Sequence, residues 1–263
     1  MATISERFNL REVVKLTLPK EHGSWSLALE PLALGILVAP SAAGGALLST
    51  AVAGFFLRRP LKLVFSRKPD PRIPLASGVV ITLVTLAIAG LFLVAASVGI
   101  KSLWLLIPSA VTGIGFAWFD SRNEGRDGAA ELCGSIAFGI LPFTFAKLAG
   151  WSTLGSVALG LVMLIRSAPT VLFVRTYLRR NKGHKAGRLP AFIASLSGLV
   201  LTGWLVFAHL APWPALVIAV FLASRTIWIL GGNRRFSAKK VGIAELAFGV
   251  VMVFTLALTW KSH

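Results

Sequence analysis

Residues 18–35 read LPKEHGSWSLALEPLALG, so Lys20, Glu21 and His22 stand together at the mouth of an apolar run that holds one more acid, Glu30. A histidine titrates near neutral pH and a carboxylate in apolar surroundings is tuned toward it. Glu21, His22 and Glu30 are therefore candidates for moving a proton to or from a bound substrate. Lys20 and Trp25 flank them as candidate substrate contacts. Three further clusters carry charge. Residues 55–74 (FFLRRPLKLVFSRKPDPRIP) hold six cations, among them Arg58, Arg59 and Lys62, and one acid, Asp70. Residues 119–131 (FDSRNEGRDGAAE) space Asp120, Glu124, Asp127 and Glu131 at i, i+4, i+7 and i+11, with Arg122 and Arg126 between them. On one continuous helix the four acids share a face. Gly125 and Gly128 favour instead a loop that enters a helix near Asp127, where Asp127 serves as an N-cap. Residues 165–190 (IRSAPTVLFVRTYLRRNKGHKAGRLP) set Arg166 inside apolar sequence and place Arg175 and Arg179 ahead of a basic tract.

Guanidinium forks and ammonium groups bind phosphate oxygens, and carboxylates hold Mg²⁺ against a phosphate. The pattern points to a site for an anion with an apolar body, such as an isoprenoid or lipid diphosphate. Arg58, Arg59, Lys62, Arg122, Arg126, Arg166, Arg175 and Arg179 would face its phosphates, and Asp70, Asp120, Glu124, Asp127 and Glu131 are candidate Mg²⁺ ligands. The competing reading of any one loop cation is contact with anionic headgroups of the inner leaflet. For Glu30, Arg166 and Arg225, which fall within apolar segments, it is mutual pairing, because each costs about 2.5 to 3.5 kcal/mol at a span centre.

Helices in a membrane must position these residues. Of the 263 residues 56% are hydrophobic and 14% charged, against about a quarter charged in soluble domains. Apolar stretches near the length a bilayer demands number nine: 23–40, 42–57, 75–98, 102–119, 129–149, 153–174, 189–209, 212–230 and 241–260. Residues 1–22 read as a cytoplasmic segment without a cleavable signal and 23–263 as one polytopic domain. The net charge of +17 is one-sided: 22 of the 27 Lys and Arg fall in the N-terminal segment and alternate loops, and three fall in the opposite set. By the positive-inside rule the N-terminus is cytoplasmic and the C-terminus outside. All ten acids lie in the same loops or in the cytoplasmic half of a span, so the chemistry is expected at that face. The single cysteine, Cys133, excludes an intrachain disulfide, and nothing resembles a nucleic-acid-binding motif.

Nine spans with an inward N-terminus resemble the UbiA superfamily of intramembrane prenyltransferases, an all-α bundle around a cytoplasm-facing cavity. PKEHGSWSLALEP is similar to the opening of that superfamily's first span, RKPDPRIPLASG to its loop after span 2, and APTVLFVRTYLRRNKGHKAGRLP to its sixth span and following loop. The resemblance implies binding of an isoprenoid diphosphate with Mg²⁺, prenyl transfer, and two aspartate-rich motifs, of which this chain keeps Asp70 in the first loop and has Asn181 nearest the second. LPKEHGSW together with VLFVRTYLR resembles the YwiC-like family of bacterial membrane proteins, which implies the bacterial cytoplasmic membrane. The alternative to an enzyme is a carrier or binder of an anionic lipid or solute on the same scaffold.

Overall fold

The computed structural model describes residues 10–18, 22–66, 69–125, 127–232 and 236–260, the side chains of residues 10, 11 and 22–24 excepted. Every regular element among them is a helix: α1 (Leu10–Thr17), α2 (His22–Val38), α3 (Ala42–Val64), α4 (Ile73–Val98), a 3₁₀ stretch (Ile100–Leu106) running into α5 (Ile107–Ser121), α6 (Gly128–Gly139), α7 (Leu141–Leu148), α8 (Thr153–Asn181), α9 (Leu189–Phe207), α10 (Trp213–Gly231) and α11 (Ala238–Thr259).

Seven of these segments are long and apolar enough to cross a membrane: α4, the 3₁₀ stretch with α5, α6 with α7, α8, α9, α10 and α11. Helix α2 is shorter, with Trp25–Val38 as its apolar part. Helix α3 occupies the second expected span but carries Arg58, Arg59 and Lys62 in its last turns.

Polar caps and prolines fix where the helices begin. Ser41, Ser152 and Ser237 accept hydrogen bonds from the backbone N–H of Gly44, Gly155 and Lys240, satisfying donors that a helix start leaves open. Pro74, Pro108, Pro142, Pro190 and Pro214 sit in the first turns of α4, α5, α7, α9 and α10, where a missing N–H costs nothing. The expected span 129–149 is thereby two helices, broken at Ile140 ahead of Pro142. Two helices outrun the expected limits, α3 by seven residues past 57 and α8 by seven past 174. In both, the added turns bear cations that grip carboxylates on neighbouring helices, so tertiary pairing carries the helix beyond its apolar length.

Helix α8 is the central element, with more than half of its apolar window buried and α6, α7, α9 and α10 packed around it. Helix α2 packs on α11 and α7, and α3 on α4. One apolar cluster joins Leu34, Leu159, Met163, Leu205, Met252 and Leu256, and a second joins Phe173, Tyr177, Ala191, Leu230 and Val241. Arg166 lies between the two along α8. The contact of α3 with α4 is close: a Cβ at Gly90 would lie 2.7 Å from the Ala46 carbonyl oxygen, and Thr50 Oγ1 bonds the Ala87 carbonyl across the pair at 3.2 Å. Because that obstacle is backbone, Gly90→Leu is expected to cost roughly 1 to 3 kcal/mol by overpacking, measurable as a lowered unfolding midpoint in detergent, whereas Gly78→Leu, where a Cβ meets open space, should leave it unchanged.

Candidate functional site

Four ionisable side chains meet inside the bundle, one from each of four helices. Arg166 of α8 is 2% exposed, Glu30 of α2 5% and Glu245 of α11 8%, and Arg225 of α10 reaches the same place. Arg166 Nη1 lies 3.0 Å from Glu245 Oε2, and its Nε lies 3.3 Å from Glu30 Oε2. Arg166 Nη2 donates to the Glu245 carbonyl at 3.0 Å and to Glu30 Oε1 at 3.4 Å, while Nη1 also donates to Thr170 Oγ1 at 2.6 Å. Arg225 Nη1 donates to Glu245 Oε1, and Ser26 Oγ to Glu30 Oε1. The groups thus form a chain of alternating sign, Glu30, Arg166, Glu245, Arg225, with no net charge. Aromatic faces complete it, Phe248 under Arg166 at 5.3 Å and Phe173 under Arg225 at 4.2 Å.

The sequence places these groups by helical spacing. Arg166, Thr170, Phe173 and Tyr177 recur at i, i+4, i+7 and i+11 and share the face of α8 turned to α10 and α11. Glu30 ends the second turn of α2, immediately before Pro31. On α11, Gly249 has no side chain because the Glu30 carboxylate occupies the place its Cβ would take. Of the four, Glu30, Arg166 and Arg225 stand out in the sequence as ionisable groups in apolar runs. Glu245 does not, because it lies two turns inside α11 and reads as an acid near the cytoplasmic end of a span.

The other expected site residues form separate pairs nearer one end of the bundle. Arg58 forks onto Asp120, with Nη2 to Oδ1 at 2.9 Å and Nε to Oδ2 at 3.3 Å, and Lys62 Nζ adds 3.2 Å to the Asp120 carbonyl. Arg175 bridges Asp127 at 3.2 Å and Glu131 at 3.1 Å. Asp70 accepts three hydrogen bonds from Arg72, from its backbone N–H and Nε at 2.9 Å and from Nη2 at 2.7 Å. Two glycines at the α5–α6 connection, Gly125 and Gly128, fit closely over two of these pairs. A Cβ at Gly125 would overlap Asp120 Oδ1, and one at Gly128 would lie 3.1 Å from Arg175 Nε. Asp127 is the N-cap of α6, so the one-helix arrangement of the four acids gives way to the loop-and-cap arrangement. Backbone N–H groups of Gly128 and Ala129, then Arg175, hold its carboxyl below the usual range.

Arg59 donates to the Lys15 carbonyl at 3.1 Å and to that of Leu18. Trp25 sits edge-on to Phe55 and Phe56 with centroids 5.7 and 5.8 Å away, and Arg122 lies over Trp118 at 4.0 Å. Glu124 is exposed in the loop and Arg179 is exposed at the end of α8. Lys20, Glu21 and Arg126 lie outside the described residues, as does the side chain of His22, whose backbone opens α2. Among the described residues no group of three His, Cys, Asp or Glu is placed to hold a metal ion. Asp70, Asp120, Asp127 and Glu131 each face an arginine instead, so the described donors do not suit Mg²⁺.

Arg72 holds the Asp70 carboxyl at about 2, against an ordinary 3.8, through its side-chain and backbone N–H groups. A depressed folded value means that this contact stabilises α4's entry above the ordinary carboxylate pKa and is lost as pH falls through about 2. The side-chain carboxyl carbon of Asp70 should therefore titrate near 2 by NMR, and a midpoint near 4 would contradict the contact.

Beyond these pairs, α8 ends in a tract rich in cations. Gly183, at φ +82, turns the chain, and the His184 N–H bonds the Arg179 carbonyl at 3.0 Å, closing the helix with a left-handed residue. A depression of about 530 Å³ opens there, lined by Arg180, Gly183, His184, Lys185, Ala186 and Gly187. Leu189, Ile193, Leu196 and Val200 of the adjoining α9 are all exposed, an apolar stripe of the kind a helix turns to lipid.

Apolar helices of spanning length and a buried charge cluster between them define an all-helical, multi-pass membrane protein. Residues 18–145, which carry α2 to α6 and most of α7, match the YwiC-like protein family, so this stretch of the chain is YwiC-like. No curated protein and no solved structure matches the chain.

Proposed function

We propose that this protein binds an isoprenoid or lipid diphosphate at the cytoplasmic face of a bacterial membrane. In this reading its nine spans form a UbiA-like bundle around a cytoplasm-facing cavity, with the N-terminus inside and the C-terminus outside. The observation that carries the proposal is the depression at the end of α8. Arg180 and Lys185 line it, and Arg179, Lys182 and Arg188 belong to the same tract, with no carboxylate among residues 179–188, unlike Arg58, Lys62 and Arg175, which carboxylates already engage. Phosphate oxygens would meet these cations and the His184 ring, and the apolar tail would lie on the α9 stripe. Binding is favoured over prenyl transfer because Asp70, Asp120, Asp127 and Glu131 face arginines and do not suit Mg²⁺. Mass spectrometry of lipids that copurify with the protein tests the reading: a polyprenyl or other lipid diphosphate is expected, and recovery of zwitterionic lipids alone would contradict it.

A second reading, a carrier of an anionic solute, is favoured by one observation, the neutral chain of charges on Arg166 in the interior. An empty carrier must not leave a bare charge in apolar surroundings, and the four buried groups here balance one another.

A further inference from the structure

We infer that Arg166 and Glu30 form a coupled uptake site, in which the carboxylate of an organic monoanion takes the place of Glu30 on Arg166 and a proton from water binds Glu30. The inference rests on the carrier reading and goes beyond it in naming the ligand class and the coupling ion.

Neutrality sets the coupling. The chain Glu30, Arg166, Glu245, Arg225 carries two charges of each sign in a place where Arg166 is 2% exposed. A monoanion added alone would leave an unbalanced buried charge, which apolar surroundings penalise heavily. A proton arriving on Glu30 with the anion restores the balance. No covalent bond forms or breaks: Glu30 gains one O–H from solvent, and the incoming carboxylate assumes its ionic contacts.

Geometry makes Glu30 the exchangeable partner. Glu245 lies between two arginines and also offers its carbonyl to Arg166, whereas Glu30 has one arginine and Ser26. Its contact with Arg166 is also imperfect. Arg166 Nε lies 3.3 Å from Glu30 Oε2 yet has no partner in hydrogen-bonding alignment, and neither has Arg225 Nε. These are two buried guanidinium donors that a better-placed acceptor would satisfy. The segment bearing Glu30 also has a hinge. Pro31 lacks an N–H, so the Leu27 carbonyl loses its helical partner at the residue after the acid. On the other helices packed against α2, the described charges are engaged elsewhere: Glu131 of α6 with Arg175 and Lys147 of α7 with the Trp151 carbonyl, while Arg58 and Lys62 of α3 hold Asp120 and Arg59 donates to the Lys15 and Leu18 carbonyls.

The ligand class follows from the space. The Glu30 carboxylate fills the notch left by Gly249, so the group that replaces it must be planar and of carboxylate size. A guanidinium fork matches such a group with two parallel hydrogen bonds. A short organic acid and a fatty acid share this group.

The test adds sodium acetate or sodium octanoate to the full-length protein in weakly buffered detergent and follows bound anion and proton uptake together. Wild type is expected to take up one proton with each anion bound. Saturation with acetate points to a soluble acid, and with octanoate alone to a fatty acid. In E30Q, where the amide stands for the protonated acid, the anion should bind without proton uptake. In E30Q/R166Q, which removes one charge of each sign and keeps Arg225 with Glu245, binding should be lost. The inference is overturned if wild type binds neither probe, if it binds without taking up protons, or if E30Q/R166Q matches wild type. Proteoliposomes separate the two levels: anion binding with proton uptake but no flux overturns the carrier reading and leaves the site standing.

Discussion

Replacing Arg166 with methionine should destabilise the protein by about 3 to 5 kcal/mol, the cost of removing one partner from a buried ion pair. Its loss strands Glu30, which has no other arginine among the described residues, and leaves Glu245 with Arg225 there. The carboxylate of Glu30 would then lie against the backbone at Gly249 with Ser26 as its remaining described donor. The charge itself, more than the lost packing, drives the effect, because methionine nearly matches arginine in apolar bulk. E30Q/R166Q should therefore recover most of the stability although it removes more hydrogen bonds, since what remains is neutral. Unfolding by denaturant in detergent reads both variants. Equal stability of R166M and wild type would mean that water reaches Arg166.

Substituting the three flexible cations at the end of α8, as R180Q/K182Q/K185Q, should weaken binding of an anionic lipid roughly a hundredfold. Each cation near a membrane surface contributes about 1 kcal/mol to anionic-lipid attraction, and 1.4 kcal/mol is a factor of ten. The three residues are exposed or half-buried, Arg180 and Lys185 in the lining of the depression and Lys182 beside them in sequence, so folding should not change. The loss should shrink as salt is raised, because these charges are screened. The control R58Q/K62Q should instead unsettle the α3 to α5 contact, because Asp120 would lose both partners. Binding titrations with anionic vesicles separate the two sets. A triple variant that binds as wild type does would remove the depression from the account.

The helices were legible because apolar length is a local property: seven of the nine expected segments are met by helices long and apolar enough to cross a membrane, and the first two by the shorter apolar α2 and by α3. Their ends were less so. Helix α3 runs on to Val64 and α8 to Asn181 because Arg58, Lys62 and Arg175 find acids 44 to 62 residues away in sequence, and hydropathy contains no such information. The cap at Asp127 could be read because Gly125 and Gly128 announce a turn, and both glycines prove to make room for the ion pairs beneath the loop. The interior site was half legible. An ionisable residue in an apolar run marks itself, which singles out Glu30, Arg166 and Arg225. Their pairing joins α2 to a residue 136 positions away, and only the packing of α2 on α11 brings it about. Glu245 was missed because an acid two turns from a helix start looks like one at the membrane surface. The expected Mg²⁺ ligands share a cytoplasmic register in the sequence, yet those that pair divide among Arg58 with Lys62, Arg72 and Arg175, partners that the acid spacing alone does not reveal.

The proposal that a lipid diphosphate is the ligand is tested most directly by comparing geranylgeranyl diphosphate with geranylgeraniol on the purified protein, for wild type and R180Q/K182Q/K185Q. Saturable binding of the diphosphate to wild type is expected, weakened by salt and by the triple variant, with little binding of the alcohol. Equal binding of diphosphate and alcohol, or binding of the diphosphate that the triple substitution leaves untouched, would contradict it.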